Sequence, residues 1–263
     1  MFTTPRRFTV FFGLTLVCLA TANAQESVGE KEPVSAEQGG WITLTDRWEP
    51  ALFGGEGEVT VEKGVITMLY GDPITGVSWT GPFEDTTKPK KQLVREKLSR
   101  ESAFGPSAQL NMEGVKDTKK ENALPRDNYE VRWECRRDDG YDFLCAFTFP
   151  IADQSASLVM GGWGGGTTGI SSIDGNDASS NETTTFRAFE NDRWYKARVR
   201  VESEKITVWI DGEKLFDHPR KGHTFDIRGE MDPCKPMGIA NFQCDSRVRQ
   251  VQVRRLNKKA VLR

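Results

Sequence analysis

Along most of the chain apolar and polar residues alternate with period two, the pattern of strands with one buried face. Such runs occupy Trp41 to Leu44, Glu58 to Val61, Val65 to Leu69, Tyr129 to Arg137, Tyr141 to Phe149 and Ser157 to Met160. They continue through Thr183 to Phe189, Tyr195 to Glu202, Ile206 to Asp211, Gly238 to Phe242 and Val248 to Leu256. The runs are short and closely spaced, which predicts antiparallel connections and an all-β, two-sheet sandwich or jelly roll over 39–257. The clearest hairpin is Trp194 to Gly212, with Tyr195, Ala197, Val199 and Val201 on one face and Lys196, Arg198 and Arg200 on the other. Placing Val201 opposite Ile206 sets Arg198 beside Trp209 and Lys196 beside Asp211, which predicts a cation-π contact and an ion pair. A second hairpin is predicted around Asp138-Asp139-Gly140, with Cys135, Trp133 and Val131 facing Cys145, Phe147 and Phe149.

The alternation breaks at 84–123, where Lys, Glu and Arg crowd. Leu93, Val94, Leu98 and Phe104 recur at helical spacing, so this reads as an insertion with one short amphipathic helix. A lid and a solvated surface loop are both open readings. At the N-terminus, Arg6 and Arg7 precede an apolar run from Phe8 to Ala20, followed by Ala22-Asn23-Ala24. That is the pattern of a cleaved signal peptide over 1–24, and the run is shorter than the ~18 residues a membrane-spanning helix needs. A secreted or periplasmic protein is expected, with a solvated lead-in over 25–38, a tail at 258–263 and no membrane span.

With 263 residues, 36 Lys plus Arg and 38 Asp plus Glu, the chain has a net charge of -2. There is no domain-wide basic field for a nucleic acid. The two histidines, His218 and His223, are too few for a several-imidazole metal centre within one subunit. Beyond Cys18 in the signal, Cys135, Cys145, Cys234 and Cys244 form two pairs ten residues apart. Export favours disulfides, whereas adjacent-strand geometry suits small apolar core residues; both readings stand.

Candidate chemistry falls on three segments. Glu130, Arg132, Glu134 and Asp142 point outward from the Asp138-Asp139-Gly140 hairpin, a charged patch able to supply an acid or base. Trp209 and Arg198 offer a stacking plate and a charged partner for a sugar ring, or else ordinary outer-face pairing. Gly161 to Gly166 lacks the residues of a phosphate loop; its glycines allow either backbone approach to a ligand with Trp163 as stacking plate, or a tight bend with a buried Trp. Asp174, Asn176, Asp177 and Glu182 offer oxygen ligands for calcium without EF-hand spacing, so Asx-rich turns are the alternative account.

The run Trp194 to Val201 followed by Ile206 to Gly212 resembles the strand pair of laminin-G and concanavalin-like jelly rolls. Within that superfamily, Gly40-Trp41-Ile42-Thr43-Leu44, the stretch Tyr129 to Phe149 and the ending Gly238 to Leu256 resemble the 3-keto-disaccharide hydrolase domain family. The family's Leu-Phe-Asp-Gly after the Trp is here Leu44-Thr45-Asp46-Arg47. The resemblance implies a carbohydrate ligand and chemistry at a 3-keto-glycoside. A ketone acidifies the neighbouring C2 proton, so one base and one enolate-stabilising group permit elimination and later hydration. Glu134 or Glu130 as base, with Arg132 or Arg198 as stabiliser, is the resulting expectation; Trp163, Trp209 and Asp142 would bind substrate. The Glu-x-Asp-x-x-Glu run of glucanases with this architecture is absent, which disfavours a two-carboxylate retaining mechanism. The alternative is a non-catalytic glycan-binding or adhesion module.

Overall fold

The computed structural model describes residues 40–83 and 124–256. The expected signal, lead-in, insertion with its helix, and tail lie outside the described residues.

Two antiparallel sheets face each other. The larger is built from β1 (Ile42–Thr43), β3 (Val59–Glu62), β4 (Val65–Met68), β6 (Tyr129–Gly140), β11 (Tyr195–Val201), β12 (Lys205–Ile210), β13 (Glu213–Pro219) and β15 (Cys244–Arg255). Its order is β13-β12-β11-β6-β15-β4-β3, with β1 also beside β15. The smaller sheet contains β2 (Trp48–Pro50), β5 (Ile74–Trp79), β7 (Cys145–Ile151), β8 (Gln154–Gly161), β9 (Thr167–Ser171), β10 (Thr185–Phe186) and β14 (Gly238–Phe242). Its order is β10-β9-β8-β7-β14-β5-β2. This is the predicted two-sheet jelly-roll sandwich.

Alternation places the core between the sheets. Tyr195, Ala197, Val199 and Val201 of β11 pair with Cys135, Trp133, Val131 and Tyr129 of β6, forming one buried carpet. Cys145, Phe147, Phe149 and Ile151 of β7, with Ala156, Leu158 and Met160 of β8, form the facing layer. The apolar phase of β15 slips at Arg249–Gln252, where a bulge lets Val248, Val251 and Val253 all reach the core.

The hairpin predicted around Asp138-Asp139-Gly140 does not form. Gly140 and Asp139 remain in β6 opposite Cys244 and Asp245 of β15, and the chain crosses to the smaller sheet over Tyr141–Leu144. The Asp138 carboxylate binds Arg136 at 2.6 Å and Arg247 at 2.7 Å, so these acids serve the sheet and not a turn. Strands β5 and β9 were not among the sequence-derived runs. Both are largely buried on both faces, so the expected alternation is missing. At Gly76 of β5 a Cβ would lie 2.5 Å from the Ile239 carbonyl oxygen, so β14 lies too close for any side chain there.

Cys135, Cys145, Cys234 and Cys244 are free and buried, which corrects the disulfide reading. Cys135 and Cys145 project from opposite sheets into the core, and Cys135 Sγ lies 3.8 Å from Met160 Sδ. They fill volume as small apolar residues.

Candidate functional site

The pairing predicted for β11 and β12 is present: Val201 opposes Ile206, and Arg198 opposes Trp209. The Arg198 guanidinium lies 3.7 Å from the indole centroid. The partner of Asp211 differs from expectation. Its carboxylate accepts the Lys196 backbone N–H at 2.9 Å and meets Arg187 at 3.3 Å and Arg193 at 3.2 Å. It thus caps the strand end and neutralises two arginines.

On this outer face Glu130 is wholly inaccessible. Arg200 donates to Oε1 at 2.6 Å, Arg254 binds Oε2, and Arg198 lies 3.7 Å away. A carboxylate enclosed by three cations cannot reach a substrate carbon. Glu134 is more open and accepts from Arg249 at 2.7 Å. Arg132 is exposed, donates to Gln252 Oε1 at 2.8 Å and lies 4.0 Å over Trp41.

Trp163 and Asp142 lie elsewhere. They border a cavity of about 190 Å³ on the outer face of the smaller sheet, opposite the side carrying Trp209, Arg198, Glu130 and Glu134. The residues expected to act on one substrate are therefore divided between two faces, because β6 and the segment bearing Asp142 belong to different layers. The cavity floor is Ala146, Ser157, Val159 and Ser171, small residues on the outward positions of β7, β8 and β9. Phe143, Phe242 and Met231 wall it, and Arg228 and Glu230 complete its rim. These five were missed from the sequence. Arg228 caps and Glu230 lies in the first turn of a short 3-10 helix, Gly229–Cys234, with no periodicity to flag them.

Local chemistry holds Trp163 at the mouth. Gly161, Trp163, Gly164 and Gly165 all have positive φ, and Trp163 is 45% exposed at φ +50. A left-handed Trp is strained, a feature concentrated at functional sites. At Gly165 (φ +101) a Cβ would stand 2.4 Å from the Tyr141 carbonyl oxygen, so only glycine lets the loop close there. Asp142 fastens it: Oδ2 accepts Gly164 N–H at 3.0 Å and Oδ1 accepts Phe143 N–H at 2.7 Å. Buried Arg137 secures the base, donating to the carbonyl oxygens of Asp142 at 2.8 Å and Phe189 at 2.6 Å and to Asn191 Oδ1 at 2.6 Å. The segment is both the tight bend and the carrier of an open indole.

Arg228 bridges Glu230 and, at 2.7 Å, Asp177. The Glu230 pKa is lowered: burial pushes it up, but its own backbone N–H and Arg228 outweigh that. Glu230 is therefore a carboxylate near neutral pH.

The four calcium candidates do not converge. Asp174 accepts from Thr224 N–H at 2.7 Å and pairs with His223 Nδ1 at 2.7 Å; Asp177 is held by Arg228 and Ser171; Glu182 faces His218 at 3.7 Å. Asn176 closes a turn through the Ile173 carbonyl oxygen. Among the described residues no group of three His, Cys, Asp or Glu is arranged to hold a metal ion. Asx turn chemistry and ion pairing use these side chains instead.

Two antiparallel layers with an aromatic-lipped cavity on one outer face define a jelly-roll protein. Residues 38–254 match the 3-keto-alpha-glucoside-1,2-lyase-like domain, and the chain belongs to that family. A search among curated proteins finds no significant match. Similar solved structures include domain 4 of AbnA, an extracellular arabinanase from Geobacillus stearothermophilus, in complex with arabinotriose. It is 11% identical, with TM-score 0.43, covering 85% of this chain and 96% of that one. The carbohydrate-binding module CBM66 from Bacillus subtilis is 8% identical, with TM-score 0.39, covering 79% and 94%. Among the described residues no helix is long and apolar enough to cross a membrane.

Proposed function

We propose that this protein is exported through its 1–24 leader and processes 3-keto-glycosides, binding one sugar ring in the cavity beside Trp163. The observation that carries this reading is an exposed, backbone-strained indole set over a small-residue floor with a cation and a carboxylate on the same rim. A pyranose offers an apolar face to an indole and hydroxyls to charged groups. The cavity, about 190 Å³, is smaller than the roughly 300–1,000 Å³ of sites for drug-sized ligands, in keeping with a single ring.

The chemistry needs one base and one electrophile. Glu230 takes the C2 proton next to the ketone, and the freed electron pair becomes an enolate steadied by Arg228. Collapse of the enolate breaks the C1–O bond, forming a C1–C2 double bond beside the ketone; the departing oxygen takes a proton and leaves as an alcohol. Water adding later at C1 completes net hydrolysis. Asp142 and Arg137 hold the loop that carries Trp163.

Incubation of the purified protein with a 3-keto-glucoside and its unoxidised parent glucoside, with product followed by mass spectrometry, tests the reading. Turnover confined to the 3-keto compound, lost in Glu230→Gln and with weaker binding in Trp163→Ala, is the expected result. Turnover lost in Glu134→Gln but retained in Glu230→Gln would move the reaction to the other face. Saturable sugar binding without turnover would make the protein a glycan-binding module.

A further inference from the structure

We infer, on the catalytic reading of the Trp163 cavity, that Asp177 is a positioning residue: it fixes the Arg228 guanidinium in the orientation in which it meets the forming enolate. Arg228 borders the cavity and is gripped at two of its three nitrogens. Nε donates to Glu230 Oε1 at 2.5 Å and Nη1 to Asp177 Oδ2 at 2.7 Å. A guanidinium is planar, so bonds to two separate carboxylates fix both its plane and its rotation within that plane. Nη2 has no hydrogen-bond partner among the described residues and is the nitrogen left to donate to a ligand. The Glu230 hydrogen bond first, and then the Asp177 charge, raise the Arg228 pKa against the opposing effect of burial.

Glu230 cannot fix Arg228 alone. It loses its charge as it takes the C2 proton, and a neutral carboxyl holds a guanidinium less strongly than a carboxylate does. That loss coincides with the arrival of negative charge on the enolate oxygen. Asp177 takes no part in the proton transfer, so it keeps the guanidinium in place at the moment when its orientation matters.

Asp177 is itself braced. Its Oδ1 accepts the hydroxyl of Ser171 at 3.2 Å, and Ser171 is a buried residue of the cavity floor at the end of β9. The Asp177 carbonyl oxygen accepts Ser180 N–H at 2.9 Å and Asn181 Nδ2 at 2.8 Å. Backbone pairing brings Arg228 alongside: Ser172 N–H donates to the Asp226 carbonyl oxygen at 2.5 Å, and Asp226 N–H returns a bond to Ser172 at 3.2 Å. Asp174 fastens the same stretch at Thr224 N–H and His223, away from Arg228. Two of the carboxylates that resemble calcium ligands in sequence thus hold one segment at two points, and only Asp177 holds the cavity's cation. Such a brace, one contact removed from the ligand, is what keeps a reacting group in its productive geometry.

Nitrogen-15 NMR of the purified protein and steady-state kinetics on a 3-keto-glucoside are the test, applied to Asp177→Ala, Asp177→Asn and Asp174→Asn. The last variant loosens the same segment without touching Arg228. The Arg228 Nε–H signal is assigned by its loss in Arg228→Lys. In wild type and Asp174→Asn its heteronuclear NOE should match that of ordered backbone; in Asp177→Ala it should drop to roughly half or below, with circular dichroism unchanged. Asp177→Ala should lower kcat about tenfold and change KM by less than about twofold, because the enolate charge exists only beyond the ground state. Asp177→Asn, which keeps an acceptor and loses the charge, should fall between, and Asp174→Asn should stay close to wild type. The NMR readout needs no turnover: an Arg228 that loosens in Asp177→Ala, in a protein that turns over nothing, removes the proposed reaction and leaves the brace standing. An Arg228 as restrained in Asp177→Ala as in wild type, unchanged turnover in that variant, or an equal loss in Asp174→Asn would each overturn the inference.

Discussion

Trp133 and Phe147 stack with ring centroids 4.2 Å apart and planes inclined by 22°, yet they belong to opposite sheets. The sequence-derived hairpin makes them cross-strand neighbours; the fold instead makes them the bolt through the sandwich. Their mutual proximity survives because both face the core, while the backbone pairing between their strands does not exist.

Removing that bolt should be costly. Trp133→Ala is expected to lower unfolding free energy by about 3–5 kcal/mol, since both rings are fully buried and the cavity cannot collapse between two sheets. Urea unfolding followed by circular dichroism measures it; a loss below about 1 kcal/mol would show that the layers close up around the gap.

Glu130 is predicted to be structural. Glu130→Ala leaves Arg198, Arg200 and Arg254 facing one another without their shared anion. Breaking a buried ion cluster in this way costs about 3–5 kcal/mol, and the loss should appear in substrate-free thermal melts. A variant with wild-type melting would return Glu130 to the list of candidate bases.

Acidification should weaken the contacts around His218, His223 and Asp174 in two stages. Burial, then His223, depress the His218 pKa, so its contribution is present above the ordinary imidazole value of 6.5 and is lost as pH falls through its lower folded value. Asp174 is depressed from 3.8 to about 2, chiefly by the Thr224 backbone N–H and then by His223. Its contribution is complete above pH 4 and disappears towards pH 2. Asp174→Asn should therefore flatten the stability profile between these values and leave it parallel to wild type above pH 5. Guanidinium melts across pH 2–8 provide the check, and a steeper acid limb in the variant would contradict the assignment.

The four buried thiols should resist modification. Burial raises the pKa of Cys135 well above the ordinary thiol value and pushes those of Cys234 and Cys244 up to about 12, so little thiolate forms near pH 8. Ellman's reagent is expected to leave all four unlabelled in the native protein and to label them in 6 M guanidinium. A non-reducing peptide map that links Cys135 to Cys145 would show that these core thiols oxidise.

Periodicity alone made the two-layer architecture legible, because a half-buried strand must alternate and the β11–β12 register follows once Val201 is set against Ile206. Trp163 was marked by its place in the Gly161 to Gly166 run, whereas Asp142 was marked only as an outward member of a hairpin that does not form. The layer to which each strand belongs was not legible: the apolar face of β7 reads the same whether its neighbour is β6 or β8 and β14. Only the complete set of pairings decided that the Glu130–Arg132–Glu134 patch and the Trp163 cavity occupy opposite faces. Arg228, Glu230 and Met231 entered the cavity for the same reason, carried there by a segment whose position depends on contacts far away in the chain. Local alternation specifies which side of a strand is buried; which strands become neighbours is set by long-range pairing, and the binding surfaces inherit their composition from that choice.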